Sequence, residues 1–164
     1  MQDFAQVAEQ HLSEVYGYLV YMTGDRGLAE ELTSATFEKA LRSWSRFDPR
    51  RASAGTWLCT IARSVAIDHF RAEDRRRRRE DSYALRQEFE VREPSFAEGM
   101  SPALERALGE LSAADREVIA LRVVLDFDPD EAARLLGISK TACTTRLSRA
   151  LAKLQEKVAD DVLA

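Results

Sequence analysis

DPDEAARLLGISKTACTTRLSRAL, residues 128–151, decides the fold of its half of the chain. Asp128 stands where a helix needs an N-cap, Pro129 takes the first helical position, and Glu131 completes a capping box. Gly137 ends that helix, because glycine alone enters the left-handed region without strain. Ser139 then caps a second, longer helix. A short helix, a tight turn and a longer basic helix make a helix-turn-helix. The residue types agree. Ala133 is small where the two helices cross, Leu136, Ile138 and Leu147 clamp the second helix on the first, and Cys143 joins them. With those positions inward, Lys140, Thr141, Thr144, Thr145, Arg149 and Lys153 line the opposite surface. Residues 139–154 carry four basic side chains and no acidic one. Such a helix can enter a major groove, its Arg and Lys on guanines or phosphates and its threonines on base edges or thymine methyls.

Working toward the N-terminus, SPALERALGEL (101–111) has Ser101 as cap, Pro102 at the first helical position, and Leu104, Leu108 and Leu111 in a stripe. Ser112 starts a further helix containing Val118, Ile119, Leu121 and Val124. Before them, EDSYALRQEFEVREPSFAEGM (80–100) has no sustained period, is acidic, and is broken by Pro94 and Gly99. It reads as a linker with room for one helical turn.

Three helices are predicted ahead of the linker. The first covers residues 3–22, with Phe4, Val7, Ala8, Val15, Leu19 and Met22 at helical spacing, Asp3 as cap and Gly24 at its end. The second covers 27–44, with Leu28, Leu32, Phe37, Leu41 and Trp44 apolar and Glu30, Glu31 and Glu38 exposed. The loop SRFDPRRASAG (45–55) follows, and its Ser53 can cap the third helix. That helix begins WLCTIARSVAIDHFR at Trp57. Trp57, Leu58, Ile61, Ala62, Val65 and Phe70 mark its buried side, while Arg63, Ser64, Asp68 and Arg71 fall elsewhere on its surface. The helix reads on to Arg79 and ends in five consecutive arginines, 75–79. The expected fold is all-α: a three-helix domain over residues 1–79, an acidic linker over 80–100, and a helix-turn-helix domain over 101–164.

The chain's net charge of −4 is unevenly spread over its 164 residues. It is −2 over residues 1–56, +4 over 57–79, −9 over 80–131 and +3 over 132–164. Two basic islands beside an acidic middle point to two polyanion contacts. Aromatic side chains near cations also suit unstacked single-stranded bases, and Phe47, Trp57, Phe70 and Tyr83 are candidates by type. Arg75 and Arg76 open the cationic run that would follow a phosphate backbone. An arginine run taken alone is weak evidence, because such runs also occur in solvated linkers.

Other classes find little support. His11 and His69 are far apart, and no Gly-rich phosphate loop, nucleophile elbow or metal-spaced cluster is present. Asp68 and His69 are helix neighbours pointing in different directions. An enzyme, a metal, a cofactor and a small-molecule substrate are therefore not expected. Cys59 and Cys143 are isolated and read as buried apolar residues rather than a disulfide or zinc ligands. No apolar run approaches the roughly 20 residues that span a bilayer, and the acidic amphipathic N-terminus is unlike a signal peptide. A cytoplasmic location is expected.

RFDPRRASAGTWLCTIARSVAIDHFR and LSAADREVIALRVVLDFDPDEAARLLGISKTACTTRLSRALAKL, in this order and separation, resemble the two domains of bacterial RNA polymerase sigma factors of the extracytoplasmic-function (ECF) group in the sigma-70 family. The resemblance covers the chain apart from the linker and the extreme ends. It implies binding to core RNA polymerase and to promoter DNA, duplex and single-stranded, and an anti-sigma factor as inhibitor. AEELTSATFEKALRSW resembles the helix that docks on polymerase; Leu32 and Phe37 match the pattern, and Glu30 and Glu31 supply its acidic start. Ser34 and Ala35 replace a Gln-Glu pair common there, and Thr33 replaces an apolar residue. The resemblance assigns the loop 47–55 and the helix 57–71 to the −10 element, where a strand is opened and a flipped base captured. Phe47, Trp57, Arg63, Asp68 and Arg71 fall in this region, and Ser64 stands where Asn is usual. The helix 140–153 matches the −35 reader, with Arg146 and Arg149 at basic positions and Thr144 where Lys or Arg is common. Phe127 and Pro129 replace a Ser-Tyr type entry to the motif. The acidic linker would pass through basic channels of the polymerase. Two other readings stay open: a regulator that binds an operator through the helix-turn-helix alone, and an adaptor that binds polymerase without promoter selectivity. No further sensory domain is expected beyond Ala164, so control within the chain would have the two domains pack on each other.

Overall fold

The computed structural model describes residues 2–81 and 93–163. Among them are seven α-helices and no strand: α1 (Phe4–Thr23), α2 (Arg26–Arg42), α3 (Ala54–Asp81), α4 (Pro102–Glu110), α5 (Ala113–Ile119), α6 (Pro129–Leu136) and α7 (Lys140–Leu163). The reading of residues 83 and 82–92 as an aromatic candidate and linker falls outside the described residues.

The N-terminal three helices pack around Val7, Val15, Leu19, Ala29, Ala40, Leu58 and Ala62. Each fully buried leucine or valine contributes roughly 1.5–3 kcal/mol by leaving water. Gly24 ends α1 with φ 66°, its N–H donating to Val20 O. Asp3 corrects the expectation of a cap: its backbone is extended, but its side chain makes no cap hydrogen bond. Asp25 instead caps α2, accepting from Leu28 N at 3.1 Å, so that helix begins one residue earlier than its apolar pattern indicates. It also ends earlier, because Trp44–Arg46 tighten into a single 3-10 turn that carries Trp44 into an aromatic cluster. Ser53 caps α3, accepting from Thr56 N at 3.2 Å. Helix α3 runs into the arginine run, as its sequence indicates. It continues through it for 28 residues in all, about 42 Å at 1.5 Å per residue. Arg76 reaches back to Glu73 at 2.9 Å and forward to Glu80 at 3.9 Å, pairs that suit a solvated helix.

The C-terminal helices enclose Leu108, Leu111, Val118, Ile119, Leu121, Leu135, Leu136, Cys143 and Ala150. Ser101, Ser112 and Asp128 each accept the expected cap bond, from Leu104 N, Asp115 N and Glu131 N. Beyond α5 the backbone widens into a π turn at Ala120–Val124, with Leu125 N donating to Ala120 O. This wider turn buries Leu121 while leaving Val123 and Val124 exposed. Arg122 then closes the loop by donating to Phe127 O at 2.6 Å. Gly137, φ 68°, ends α6 in a Schellman arrangement: its N–H donates to Arg134 O and that of Ile138 to Ala133 O.

The two halves touch. Helix α1 packs on α5 and the π turn, α3 meets α6, and the buried apolar residues of both halves form one connected cluster. Residues 93–101 run along this seam with Phe96 buried in it.

Candidate nucleic-acid interface

Helix α7 presents its two sides as its sequence dictates. Cys143 and Ala150 are fully buried against the rest of the domain. Lys140, Thr141, Thr144, Thr145 and Arg149 are exposed, and Arg146 is half-buried beside Leu147. Ser139 accepts from Ala142 N at 3.1 Å, which fixes the first turn. The Thr144 hydroxyl donates to Lys140 O at 3.1 Å, leaving its oxygen able to accept from a ligand. Two cations of this face have acidic neighbours: Lys140 lies 3.8 Å from Asp130, and Lys153 donates to Asp115 at 3.1 Å. Lys153 is thus turned toward α5 rather than along the row formed by the others.

The second grouping lies at the start of α3. Trp44 and Phe47 stack with centroids 5.1 Å apart, and Trp57 lies 5.1 Å from Phe47 and 5.8 Å from Trp44. Phe4 closes the edge at 5.4 Å from Trp44. Trp44 and Phe47, with Gln2, Ser45 and Pro49, wall a cleft of about 400 Å³. It offers flat apolar faces of the kind on which a base stacks. Beyond Phe47, Asp48 accepts from Arg50 N at 2.9 Å and Arg50 Nε at 3.2 Å, and these bonds hold its carboxyl below the usual range. Arg50 and Arg51 stay exposed beside it.

Along α3, Asp68, Arg71, Arg75 and Arg76 are exposed. Ser64 accepts from Lys39 Nζ of α2 at 3.2 Å. Arg63 is placed differently. Its Nε donates to Glu117 Oε1 of α5 at 2.6 Å, and Tyr18 OH donates to the same oxygen at 2.6 Å. Glu117 and Tyr18 were not legible as site neighbours: they lie 54 and, between themselves, 99 residues away along the chain. Burial, then the charge of Glu117, pushes the Tyr18 hydroxyl well above its ordinary pKa.

On α2, Glu30, Glu31 and Ser34 are exposed, Phe37 is half-buried, and Leu32 lies in the core at 6% exposure. Thr33 is buried and satisfies its hydroxyl on Ala29 O at 2.6 Å. Asp25, Glu30, Glu31, His69, Glu73 and Arg76 rim a shallow acidic depression between α2 and α3. Among the described residues, no three His, Cys, Asp or Glu side chains come together as metal ligands. No described helix is long and apolar enough to cross a membrane.

Comparison with known proteins fits these two surfaces to one family. The family model described as sigma-70 region 2 matches residues 7–76, and that described as sigma-70 region 4 matches residues 101–154. The ECF RNA polymerase sigma factor BldN of Streptomyces coelicolor is 33% identical over 161 residues, covering 96% of this chain and 61% of BldN. The RNA polymerase sigma factor CarQ of Myxococcus xanthus is also 33% identical over 161 residues, covering 93% of this chain and 87% of CarQ. The fold is shared with the sigma factor RpoE of Bartonella quintana, solved in complex with the anti-sigma factor NepR, at a TM-score of 0.81 and 24% identity over 97% of this chain and 98% of RpoE. The chain belongs to the ECF group of sigma-70 family RNA polymerase sigma factors.

Proposed function

We propose that the chain binds core RNA polymerase and directs promoter-specific initiation, with residues 1–79 and 101–164 as the two working domains and 80–100 as their connection. The observation that carries this reading is the pairing of two unlike surfaces in one chain. One is a capped basic helix with outward Lys140, Thr141, Thr144, Thr145 and Arg149. The other is an aromatic cluster of Trp44, Phe47 and Trp57 beside a cationic helix.

A helix of the first kind reads duplex edges in a major groove, here the −35 element, with Arg146 on phosphate beside the base-reading row. A surface of the second kind suits melted DNA at the −10 element. Unstacking a base step costs a few kcal/mol, and stacking one extruded base on an aromatic face returns about 1–3 kcal/mol. Phe47 and Trp57 supply that face; Arg63, Ser64, Asp68 and Arg71 supply polar edges along α3; Arg75 and Arg76 follow the strand as phosphate contacts. Docking on polymerase falls to α2 through Glu30, Glu31 and Phe37, with Leu32 fixing the helix from below. Because Leu32 is buried, its part is to position the docking face. The chain works in the cytoplasm, without catalytic chemistry of its own, and an anti-sigma protein is its expected inhibitor.

The test is transcription start mapping with purified core polymerase and this chain over a genomic template library. Starts clustered downstream of one shared pair of sequence elements are expected. Protection of an operator-like site while core polymerase starts nowhere defined would instead make the chain an operator-binding regulator.

A further inference from the structure

The polar stripe of α3 has a neighbour on α2. Trp57, Ser64 and Arg71 follow one another at two helical turns, so they lie near one line on α3, about 10 Å from each to the next. Trp57 belongs to the aromatic cluster and Arg71 is exposed, which leaves half-buried Ser64 midway between a stacking face and a cation. Lys39, in the last turn of α2, reaches across to this midpoint, where its Nζ donates to Ser64 Oγ at 3.2 Å. Arg42 of the same turn is drawn the other way, to Glu38 at 3.9 Å. Lys39 is exposed and has no carboxylate within ion-pair distance among the described residues. Asp68, one turn beyond Ser64, does not reach it. The ammonium is thus held in place by a hydroxyl and keeps its whole charge for something else.

The donors can be counted. An ammonium has three N–H donors and no acceptor. Lys39 gives one to Ser64, so two are left for a ligand. The Ser64 oxygen accepts from Lys39, and its own proton has no acceptor among the described residues. A serine hydroxyl rotates freely unless a neighbour directs it, whereas a carboxamide carries fixed donors of its own. With Lys39 occupying one side of the oxygen, the proton is turned away from α2 and out of the groove. Toward solvent the pair therefore offers donors, the complement of phosphate oxygens and of the acceptor atoms of unpaired bases. We infer that Lys39 is a further strand-binding residue of the −10 surface, its ammonium contacting a backbone phosphate while its bond to Ser64 aims the serine hydroxyl at an acceptor atom of the adjacent base. The inference rests on the sigma reading and extends it: α2, the proposed docking helix, then touches the strand as well as the polymerase. Lys39 is a phosphate contact in its own right and a positioning residue for Ser64.

The experiment uses polymerase assembled from core enzyme and the full chain, and a forked template whose −10 strand is unpaired. Affinity is measured by competition over a series of salt concentrations, and with each of the four bases in turn at every position of the unpaired strand. Lys39→Ala is expected to weaken binding several-fold and to lower the slope of log affinity against log salt by about 0.7, the share of one single-strand phosphate. It should also flatten the ranking of the four bases at one strand position. Ser64→Ala should flatten the ranking at that same position and leave the slope unchanged. Lys39→Ala combined with Ser64→Asn should recover a ranking there without recovering the slope, because the carboxamide brings its own donor but no charge. Lys39→Arg should keep the slope. Circular dichroism is expected to show equal helicity throughout, since Lys39 is exposed. The affinity of a labelled chain for core enzyme, measured without DNA, should be the same for Lys39→Ala as for the wild type. An unchanged slope and ranking in Lys39→Ala, with the wild type binding the fork, overturns the inference and leaves the sigma reading standing. A loss in Lys39→Ala that is accounted for by weaker core binding also overturns it and assigns Lys39 to the docking face. A wild-type complex indifferent to the forked template overturns the sigma reading, and the inference with it.

Discussion

In the proposed −35 contact, Arg149 is the residue on which base reading would depend most directly. It is exposed on α7 while Cys143 and Ala150 hold the helix from below, so packing restrains the element and leaves the guanidinium open to a base. A bidentate contact of this kind discriminates by about 1–3 kcal/mol. Arg149→Ala should therefore weaken binding of the polymerase complex to a −35-bearing duplex by about tenfold, with little loss on duplex lacking the element, read by competition binding at fixed salt. Arg149→Lys should not restore the difference, because an ammonium cannot make the paired contact. Cys59 supplies a prediction about stability. Burial pushes its thiol up to about 12, and Tyr18 shifts in the same direction. The folded form then keeps these protons where the unfolded chain releases them. The stabilisation is complete below the ordinary thiol pKa near 8.5, and it is lost as pH rises from there through about 12. Melting temperature should fall steadily across this alkaline window, and Cys59→Ala should flatten the first part of the fall, as followed by circular dichroism against pH.

Elements show why equal sequence signals have unequal outcomes. Asp3 and Asp128 both precede helices and both satisfy the N-cap pattern. Asp128 accepts from Glu131 N at 2.9 Å, whereas Asp3 makes no side-chain cap bond. Asp128→Ala should accordingly cost about 1 kcal/mol in denaturant unfolding, while Asp3→Ala should cost almost nothing. The helix-turn-helix was legible because its determinants are local: a proline, two caps and a glycine within a dozen residues. The end of α2 and the π turn after α5 were not. Trp44 leaves the helix to stack on Phe47, and the widened turn is set by what Leu121 must reach, both matters of tertiary packing. The continuation of α3 through the arginine run was legible as well, as a helix that begins apolar and ends in arginines. Five like charges repel one another, but Glu73 and Glu80 flank Arg76 at helical spacing and offset part of the repulsion. A rigid rod of arginines makes a directed track, so Arg75→Ala combined with Arg76→Ala should lower the salt dependence of promoter binding by a slope of about 1–2, seen in a titration from low to moderate salt.

For the whole molecule, the sequence indicates two domains and a linker, and nothing local in it indicates how they meet. Periodicity assigns residues to an inside; it does not say whose inside. Tyr18, Glu117 and Phe96 each read as ordinary members of their own segments, and only the assembled chain makes them neighbours. Their packing has a thermodynamic consequence, because helices that share one apolar cluster and a partly buried ion pair cannot unfold separately without exposing the seam. A single calorimetric transition is therefore expected for the free chain, with equal calorimetric and van't Hoff enthalpies. Phe96 is the side chain whose loss most directly tests this, since it fills space between Tyr21 and Arg116 but belongs to neither domain's own helices. Truncating a buried phenylalanine costs about 3–5 kcal/mol where the surroundings hold their shape. Along this seam the two halves can instead draw apart and let water in. Phe96→Ala should then split the one transition into two, with the individual helices retained by circular dichroism below the first. A mutant that still melts in one step at a lower temperature would place the seam's cohesion in α1, α5 and their ion pair alone.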